Sequence, residues 1–108
     1  EDQDMAWMWL LAAGLLEIVW AWGLKASEGF TRPWPIVVTV LGTIASFWCL
    51  ARALREIPLG TGYAVWVGIG AVGTALLGMA LYHEPAAWPR LLCIGLIVAG
   101  VVGLKFVG

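Results

Sequence analysis

One carboxylic acid lies in the middle of a long apolar stretch near the start of the chain. Glu17 is the only charged residue between Met5 and Leu24, a stretch as long as a bilayer-spanning helix. A charge at the centre of a bilayer costs at least ~2.5 kcal/mol on insertion scales, so a carboxyl group there calls for a function. At helical spacing Gly14 and Trp20 share its face, which adds a small residue and an indole N–H donor. This face therefore has the composition of a polar site within a membrane helix.

A carboxyl group in this position can bind both protons and cations. Removal from water penalises the ionised form, which allows a buried carboxyl group to take up and release a proton near neutral pH. The ionised form attracts a cation, so a proton and a cation can compete for Glu17. Coupling this competition to an inward–outward switch gives antiport. The sequence therefore predicts a proton-coupled cation transporter.

Three further candidate site residues lie in the second and third apolar stretches. Tyr63 and Trp66 are three positions apart and share one helical face, although Tyr63 is also close enough to the start of its stretch to be an interfacial aromatic. Ser46 lies deep in the second stretch. Its hydroxyl can bond back to the carbonyl four residues earlier, which is the simpler interpretation, or donate to Glu17 on a neighbouring helix.

Glycines mark the third and fourth stretches. Gly68 and Gly70 either allow close helix packing or form a bend that moves during transport. The fourth stretch has a ridge of small residues at four-residue spacing, with one more beside it: Gly95, Ala99 and Gly103, and Gly100. Such ridges let helices approach closely, which predicts dimer packing through this helix.

The composition is that of an integral membrane protein. Of the 108 residues, 62% are hydrophobic and 12% charged, and the mean hydropathy is +0.92. A soluble domain of this size has too little interior to bury so much apolar surface. The net charge of −1 argues against nucleic-acid binding. Cys49 and Cys93 are expected to pack as small apolar side chains. No nucleophile–base pair, phosphate-binding loop or metal-ligand cluster occurs in the sequence, so we expect no enzyme, cofactor or metal.

Four apolar stretches predict four membrane-spanning helices, at about residues 5–24, 35–54, 59–82 and 88–107. All five prolines fall at the connections or in first turns, where a missing N–H is tolerated. Connections this short make neighbouring helices antiparallel and leave no room for a soluble domain. The expected fold is an all-α integral membrane protein with a single four-helix domain over residues 1–108.

The basic residues are balanced between the two sides of the membrane. With four spans, one side carries Arg52, Arg55 and Lys105, and the other carries Lys25, Arg32 and Arg90. Orientation normally follows an excess of Lys and Arg on the cytoplasmic side. A chain without that excess is predicted to insert in both orientations. Four helices also enclose a polar solute poorly, which predicts a dimer, and two orientations allow an antiparallel pair.

Several segments carry a resemblance to a known family, which begins at Met5. They are Glu17, Lys25-Ala26-Ser27-Glu28-Gly29-Phe30-Thr31-Arg32, Ala45-Ser46-Phe47-Trp48, and Pro58-Leu59-Gly60-Thr61-Gly62-Tyr63-Ala64-Val65-Trp66. On these segments the chain resembles the small multidrug resistance transporters. The resemblance implies an antiparallel, dual-topology homodimer in the bacterial inner membrane that exchanges protons for cations.

Within that family the chain is more similar to the guanidinium exporter subtype. The residues that carry this likeness are Gly14, Trp20, Trp66-Val67-Gly68-Ile69-Gly70-Ala71-Val72-Gly73, and Lys105 in Gly103-Leu104-Lys105. The resemblance implies that paired Glu17 carboxylates hold guanidinium. It further implies that other side chains orient these carboxylates by hydrogen bonds, namely Trp20, Ser46, Tyr63 and Trp66. Gly14 would leave room beside the carboxylates.

Other functions stay open from the sequence. A broader exporter of quaternary ammonium or hydrophobic cations is the alternative within the same class, and quaternary ammonium ions offer no N–H donors to a carboxylate. A structural membrane subunit without transport would leave Glu17 unexplained. Pairing with a paralogue is also possible, although the balanced charge argues against it.

Overall fold

The computed structural model describes the backbone of residues 2–107 and the side chains of residues 4–107. Within that range the chain forms four α-helices and no strand: α1 (Asp2–Ala26), α2 (Pro33–Ala53), α3 (Leu59–Leu81) and α4 (Trp88–Val107). All four helices are long and apolar enough to cross a membrane. The predicted all-α membrane fold with four spanning helices is therefore confirmed.

Helix α1 extends beyond the predicted stretch at both ends, and it ends in a turn built around Ser27. The buried Ser27 hydroxyl donates to the Leu24 carbonyl (2.8 Å) and accepts from the backbone N–H of Phe30 (3.1 Å). Glu28, Gly29 and Phe30 then adopt positive φ angles of 49°, 74° and 66°. Backbone hydrogen bonds continue the helix into polar residues, and this left-handed turn is what ends it.

The ends of α2 and α3 differ from the predicted ones by one or two residues. Helix α2 starts at Pro33, because a proline in the first turn lacks only an N–H group that needs no partner within the helix. Its last residue is Ala53, and Leu54 is the capping residue. Helix α3 ends at Leu81, with Tyr82 as its capping residue.

Helix α1 is the central helix of the subunit. It packs against α2 and α3, whereas α4 packs mainly against α3 and touches α1 through Lys105, whose Nζ lies 4.7 Å from the Trp7 ring centroid. One cluster of buried apolar residues forms the core: Ala6, Leu10, Ala13, Cys49, Leu50, Ala53, Ile57, Val65 and Trp66. Cys49 packs here as predicted, whereas Cys93 is exposed on α4. No residue of α4 is buried, so its apolar surface is left to lipid or to another chain.

Candidate functional site

The Glu17 side chain reaches from α1 to α3 and lies against the backbone of Gly70. A Cβ atom at Gly70 would overlap the carboxyl group and lie 2.9 Å from Glu17 Cγ. Glu17 is half-buried, and its Oε1 atom is buried without a hydrogen-bond partner among the residues whose side chains are described. The missing side chain at Gly70 makes room for the carboxyl group, a contact that the sequence did not predict.

Trp20 lies one turn further along α1 and presents a second buried polar group without a hydrogen-bond partner. Its Nε1 atom is buried and donates to no residue in the described part of the chain. The hydrogen bond to Glu17 that the resemblance implies is therefore not made within this single subunit. A buried donor or acceptor without a partner costs about 1–3 kcal/mol. A carboxyl oxygen and an indole N–H are thus available here to a polar ligand.

The position of Trp20 is set by its contact with α2. An added Cβ at Gly42 would lie 3.0 Å from Trp20 Cβ and 3.5 Å from its Cα. The glycine therefore lets α1 and α2 approach with almost no side chain between them. Close backbone approach of this kind is how small residues bring membrane helices together.

Ser46 makes a hydrogen bond that differs from both predicted ones. Its fully buried hydroxyl donates to the Ala13 carbonyl of α1 (2.7 Å) and accepts from Trp66 Nε1 of α3 (3.0 Å). The predictions of a bond within its own helix and of a bond to Glu17 are therefore wrong for this subunit. Thr43, on the same helix, does donate to the carbonyl four residues earlier (2.7 Å). Ser46 instead faces α1 at the level of Ala13, and it links three helices.

Trp66 is the centre of a small aromatic cluster. Its ring centroid lies 5.2 Å from that of Tyr63 and 5.4 Å from that of Phe47. Trp66 is 4% exposed and Tyr63 is 52% exposed. The structure thus joins Ser46, Tyr63 and Trp66 in one group, and no hydrogen bond connects this group to Glu17 within the described residues. The role of Tyr63 in the site remains a prediction.

Gly14 and Gly68 also lie at close approaches between helices. An added Cβ at Gly14 would lie 2.6 Å from Ile69 Cγ2. The space at Gly14 is therefore filled by Ile69, and the implied room beside the carboxyl group is not seen there. Gly68 packs against Val101 of α4. Helix α3 is unbroken through Gly68 and Gly70, so their role as a bend remains a prediction.

The small residues of α4 face away from the rest of the subunit. A Cβ atom added at Gly95, Gly100 or Gly103 would meet nothing within 4 Å. Ala99 is exposed on the same helix. This surface is open to another helix, and its role in a dimer remains a prediction.

Glu17 supplies the charge of the candidate site. No group of three or more His, Cys, Asp or Glu side chains that could hold a metal occurs among the described residues. A single carboxyl group with an indole N–H nearby suits reversible binding of a cation or a proton. The arrangement can hold and release a small polar ion without forming a covalent bond to it.

Comparison with known proteins identifies relatives along almost the whole chain. The chain matches the model of the family described as Small Multidrug Resistance protein over residues 5–97. It is 54% identical to a protein named guanidinium exporter from Yersinia pestis over 101 residues, which cover 94% of this chain and 97% of that protein. Proteins of the same name from Citrobacter freundii and Salmonella typhimurium are 55% identical over 94% of this chain and 96% of theirs.

Proposed function

Because the chain belongs to the small multidrug resistance family, we propose that it is a proton-coupled exporter of guanidinium and small guanidinyl cations. Membership of this family confirms the resemblance seen in the motifs. Together with the four spanning helices, it makes the chain a multi-pass transporter of the bacterial inner membrane and not an enzyme.

The observation that carries the proposal is the Glu17 carboxyl group within a membrane-spanning helix. It is packed against Gly70 and has one oxygen free of hydrogen bonds among the described residues. Guanidinium is planar, and its paired N–H groups match the two oxygens of a carboxylate. The relatives named guanidinium exporter support this choice of substrate.

Proton coupling follows if the proton and guanidinium bind to the same carboxyl group. The empty carboxyl group takes up a proton, because its ionised form is poorly solvated there. Guanidinium binds the ionised form, so its binding releases the proton. If the transporter switches between its inward-facing and outward-facing states only with a proton or a substrate bound, each substrate that leaves the cell is exchanged for protons that enter it.

We further propose that two chains form an antiparallel homodimer that brings two Glu17 carboxyl groups to one site. The open small-residue surface of α4 supports this proposal, since nothing in its own subunit covers it. The balance of basic residues between the two membrane sides supports insertion in both orientations. In such a pair, the unpartnered Glu17 Oε1 and Trp20 Nε1 atoms would have a second subunit and a shared ligand as partners.

Transport currents from purified protein in liposomes test the role of Glu17. We expect Glu17→Gln to reduce the guanidinium current to the level of protein-free liposomes, because the amide neither binds the cation nor releases a proton. Glu28→Gln is the matched control, since Glu28 is an exposed carboxyl group in the α1–α2 connection. Guanidinium binding to the wild type should also weaken as the pH is lowered and protons occupy the carboxyl group. An unaltered current in Glu17→Gln would refute the proposed site.

A broader exporter of quaternary ammonium or hydrophobic cations is the second candidate. It is favoured by the half-exposed aromatic side chains next to Trp66, since Phe47 is 50% and Tyr63 52% exposed. Such rings offer apolar and cation–π contacts that need no N–H donors. Comparable currents with guanidinium and tetrapropylammonium would identify this function. A current with guanidinium alone would exclude it, and no current with either cation from folded protein would exclude both candidates.

A further inference from the structure

A polar cavity lies at the end of the bundle where α1 begins and α2 ends. It has a volume of about 270 Å³ and is lined by Met5, Ala6, Trp9, Arg52, Arg55 and Glu56. Trp9 precedes Glu17 by eight residues, or about 12 Å along a helix. The cavity is therefore separate from the candidate transport site, and the proposed transport function does not use it.

The cavity contains an arginine that is held in place by two tryptophans. Arg52 Cζ lies 5.0 Å from the ring centroid of Trp9 and 5.2 Å from that of Trp48. The two rings are 5.2 Å apart and lie at 80° to each other, so the guanidinium group sits beside a corner formed by two indoles. Cation–π contacts position a guanidinium group without using its N–H groups as hydrogen-bond donors to a carboxylate. Arg52 is therefore positioned and can still bind an anion.

Arg32, at the other end of the bundle, shows the contrasting case. Its Cζ atom lies 5.7 Å from the ring centroid of Trp34, but its guanidinium also lies 3.9 Å from the carboxylate of Glu28. For Arg52 and Arg55, no carboxylate lies within ion-pair distance among the side chains of residues 4–107. Among the described side chains, Arg32 thus has a carboxylate of its own chain as a partner, whereas Arg52 has a cavity beside it.

The position of the cavity indicates which anion can reach it. The last turn of α2 and the first turns of α1 form one end of the spanning helices, which lies at the level of the lipid headgroups. The abundant anions at that level are the phosphates of phospholipids. Arginine binds phosphate with two parallel N–H donors. We propose that this cavity binds the phosphate of an anionic phospholipid headgroup through Arg52 and Arg55.

The preference for an anionic lipid over a zwitterionic one rests on the two arginines in the lining of the cavity. Two arginines and one glutamate line the cavity. Asp4, next to Met5 at the start of α1, adds a negative charge to this end of the bundle. The carbonyl end of α2 disfavours an anion, so the attraction comes from the two guanidinium groups. Glu56 also opposes the phosphate. Removal of the Arg52 charge should therefore weaken lipid binding, and removal of the Glu56 charge should strengthen it.

Native mass spectrometry of the purified full-length protein, with phosphatidylglycerol or phosphatidylcholine added, tests the proposal. We expect the wild type to retain phosphatidylglycerol in preference to phosphatidylcholine. Arg52→Gln should lower the retention of phosphatidylglycerol about tenfold, the effect of losing a charge-assisted hydrogen bond. Arg32→Gln is the matched control and should leave retention unchanged. Glu56→Gln should raise it.

Three outcomes of this assay would each overturn the proposal. Equal retention of both lipids by the wild type would mean that no anion site exists. An equal loss in Arg52→Gln and Arg32→Gln would mean that retention reflects general attraction to basic residues. Displacement of phosphatidylglycerol by inorganic phosphate at an equal concentration would identify a free-anion site instead of a lipid site. If Arg52→Gln does not purify as folded protein, two other variants decide the question in the same assay. Arg55→Gln should lower the retention of phosphatidylglycerol, and Glu56→Gln should raise it.

Discussion

Helices α3 and α4 are both rich in glycine, but most glycines of α3 are packed, whereas those of α4 are open. In α3, a Cβ atom added at Gly62, Gly68, Gly70, Gly73 or Gly78 would press against a side chain from another part of the subunit. In α4, a Cβ added at Gly95, Gly100 or Gly103 would meet nothing within 4 Å. Helix α3 packs against both α1 and α4, whereas α4 packs mainly against α3 and lies at the edge of the subunit. Glycine spacing alone therefore does not tell whether a helix face is used inside a subunit or is left for a partner.

The largest effect within this comparison is expected at Gly70. In Gly70→Ala the new methyl group would overlap the Glu17 carboxyl group and force it to move. The carboxyl group ends a flexible side chain and can swing away at little cost to folding, but it then leaves the position where it is open to a cation. We therefore expect guanidinium affinity to fall by roughly tenfold, or about 1.4 kcal/mol. The dependence of the transport current on guanidinium concentration measures this change.

The control for Gly70→Ala comes from the same helix. An added Cβ at Gly60 meets nothing within 4 Å, so Gly60→Ala should leave the affinity within about twofold, as a surface change does. Equal losses in the two variants would show that α3 is sensitive to any added side chain. The contact between Glu17 and Gly70 would then have no special role in binding.

A second effect is expected where α3 is tied to α1 and α2 by a hydrogen bond. Ser46→Ala would leave Trp66 Nε1 buried without its acceptor and would remove the bond from α2 to the Ala13 carbonyl of α1. We expect the free energy of unfolding to fall by about 1–3 kcal/mol, measured by denaturant titration in detergent. Thr43→Val is the control, because the Thr43 hydroxyl only bonds within its own helix. A loss in Thr43→Val as large as that in Ser46→Ala would contradict the linking role of Ser46.

A change in α4 is expected to have the smallest effect on the subunit itself. It should act on the pairing of two subunits. Gly95→Leu adds a side chain where the subunit has open space, so its helical content should not change. If α4 is the dimer interface, the new side chain disrupts its packing and should weaken dimerisation about tenfold. Single-molecule photobleaching at decreasing protein-to-lipid ratios measures the dimer fraction. A dimer fraction equal to that of the wild type would place the interface elsewhere.

The number and type of helices could be predicted because each depends on a single local property. An apolar stretch of sufficient length predicts a spanning helix, and the prolines at Pro33, Pro58 and Pro89 lie near three of the helix starts. The end of α1 was predicted too early, because the prediction stopped at the first polar residues. The backbone hydrogen bonds continue until the left-handed turn after Ser27.

The candidate site could be predicted only in part, because its contacts depend on how the helices are rotated. Glu17 was identified by the cost of placing a carboxyl group in a bilayer, which needs no knowledge of its neighbours. Ser46 and Thr43 are both hydroxyl residues in an apolar helix, and only their rotation about α2 decides which one faces α1. The same holds for Gly14 and Gly70, whose neighbours are set by the register between α1 and α3.

The position of α4 at the edge of the subunit has a consequence for how the protein assembles during synthesis. Among the described residues, the Ser46 hydrogen bonds that tie α1, α2 and α3 together do not involve α4, which is synthesised after them. Chains fold from the N-terminus as they emerge from the ribosome, and α4 begins at Trp88, after α3 has ended at Leu81. The three-helix part with the Ser46 hydrogen bonds can therefore assemble in the membrane while α4 is still inside the ribosomal exit tunnel. If α4 is the dimer interface, its insertion is the step after which the subunit can pair.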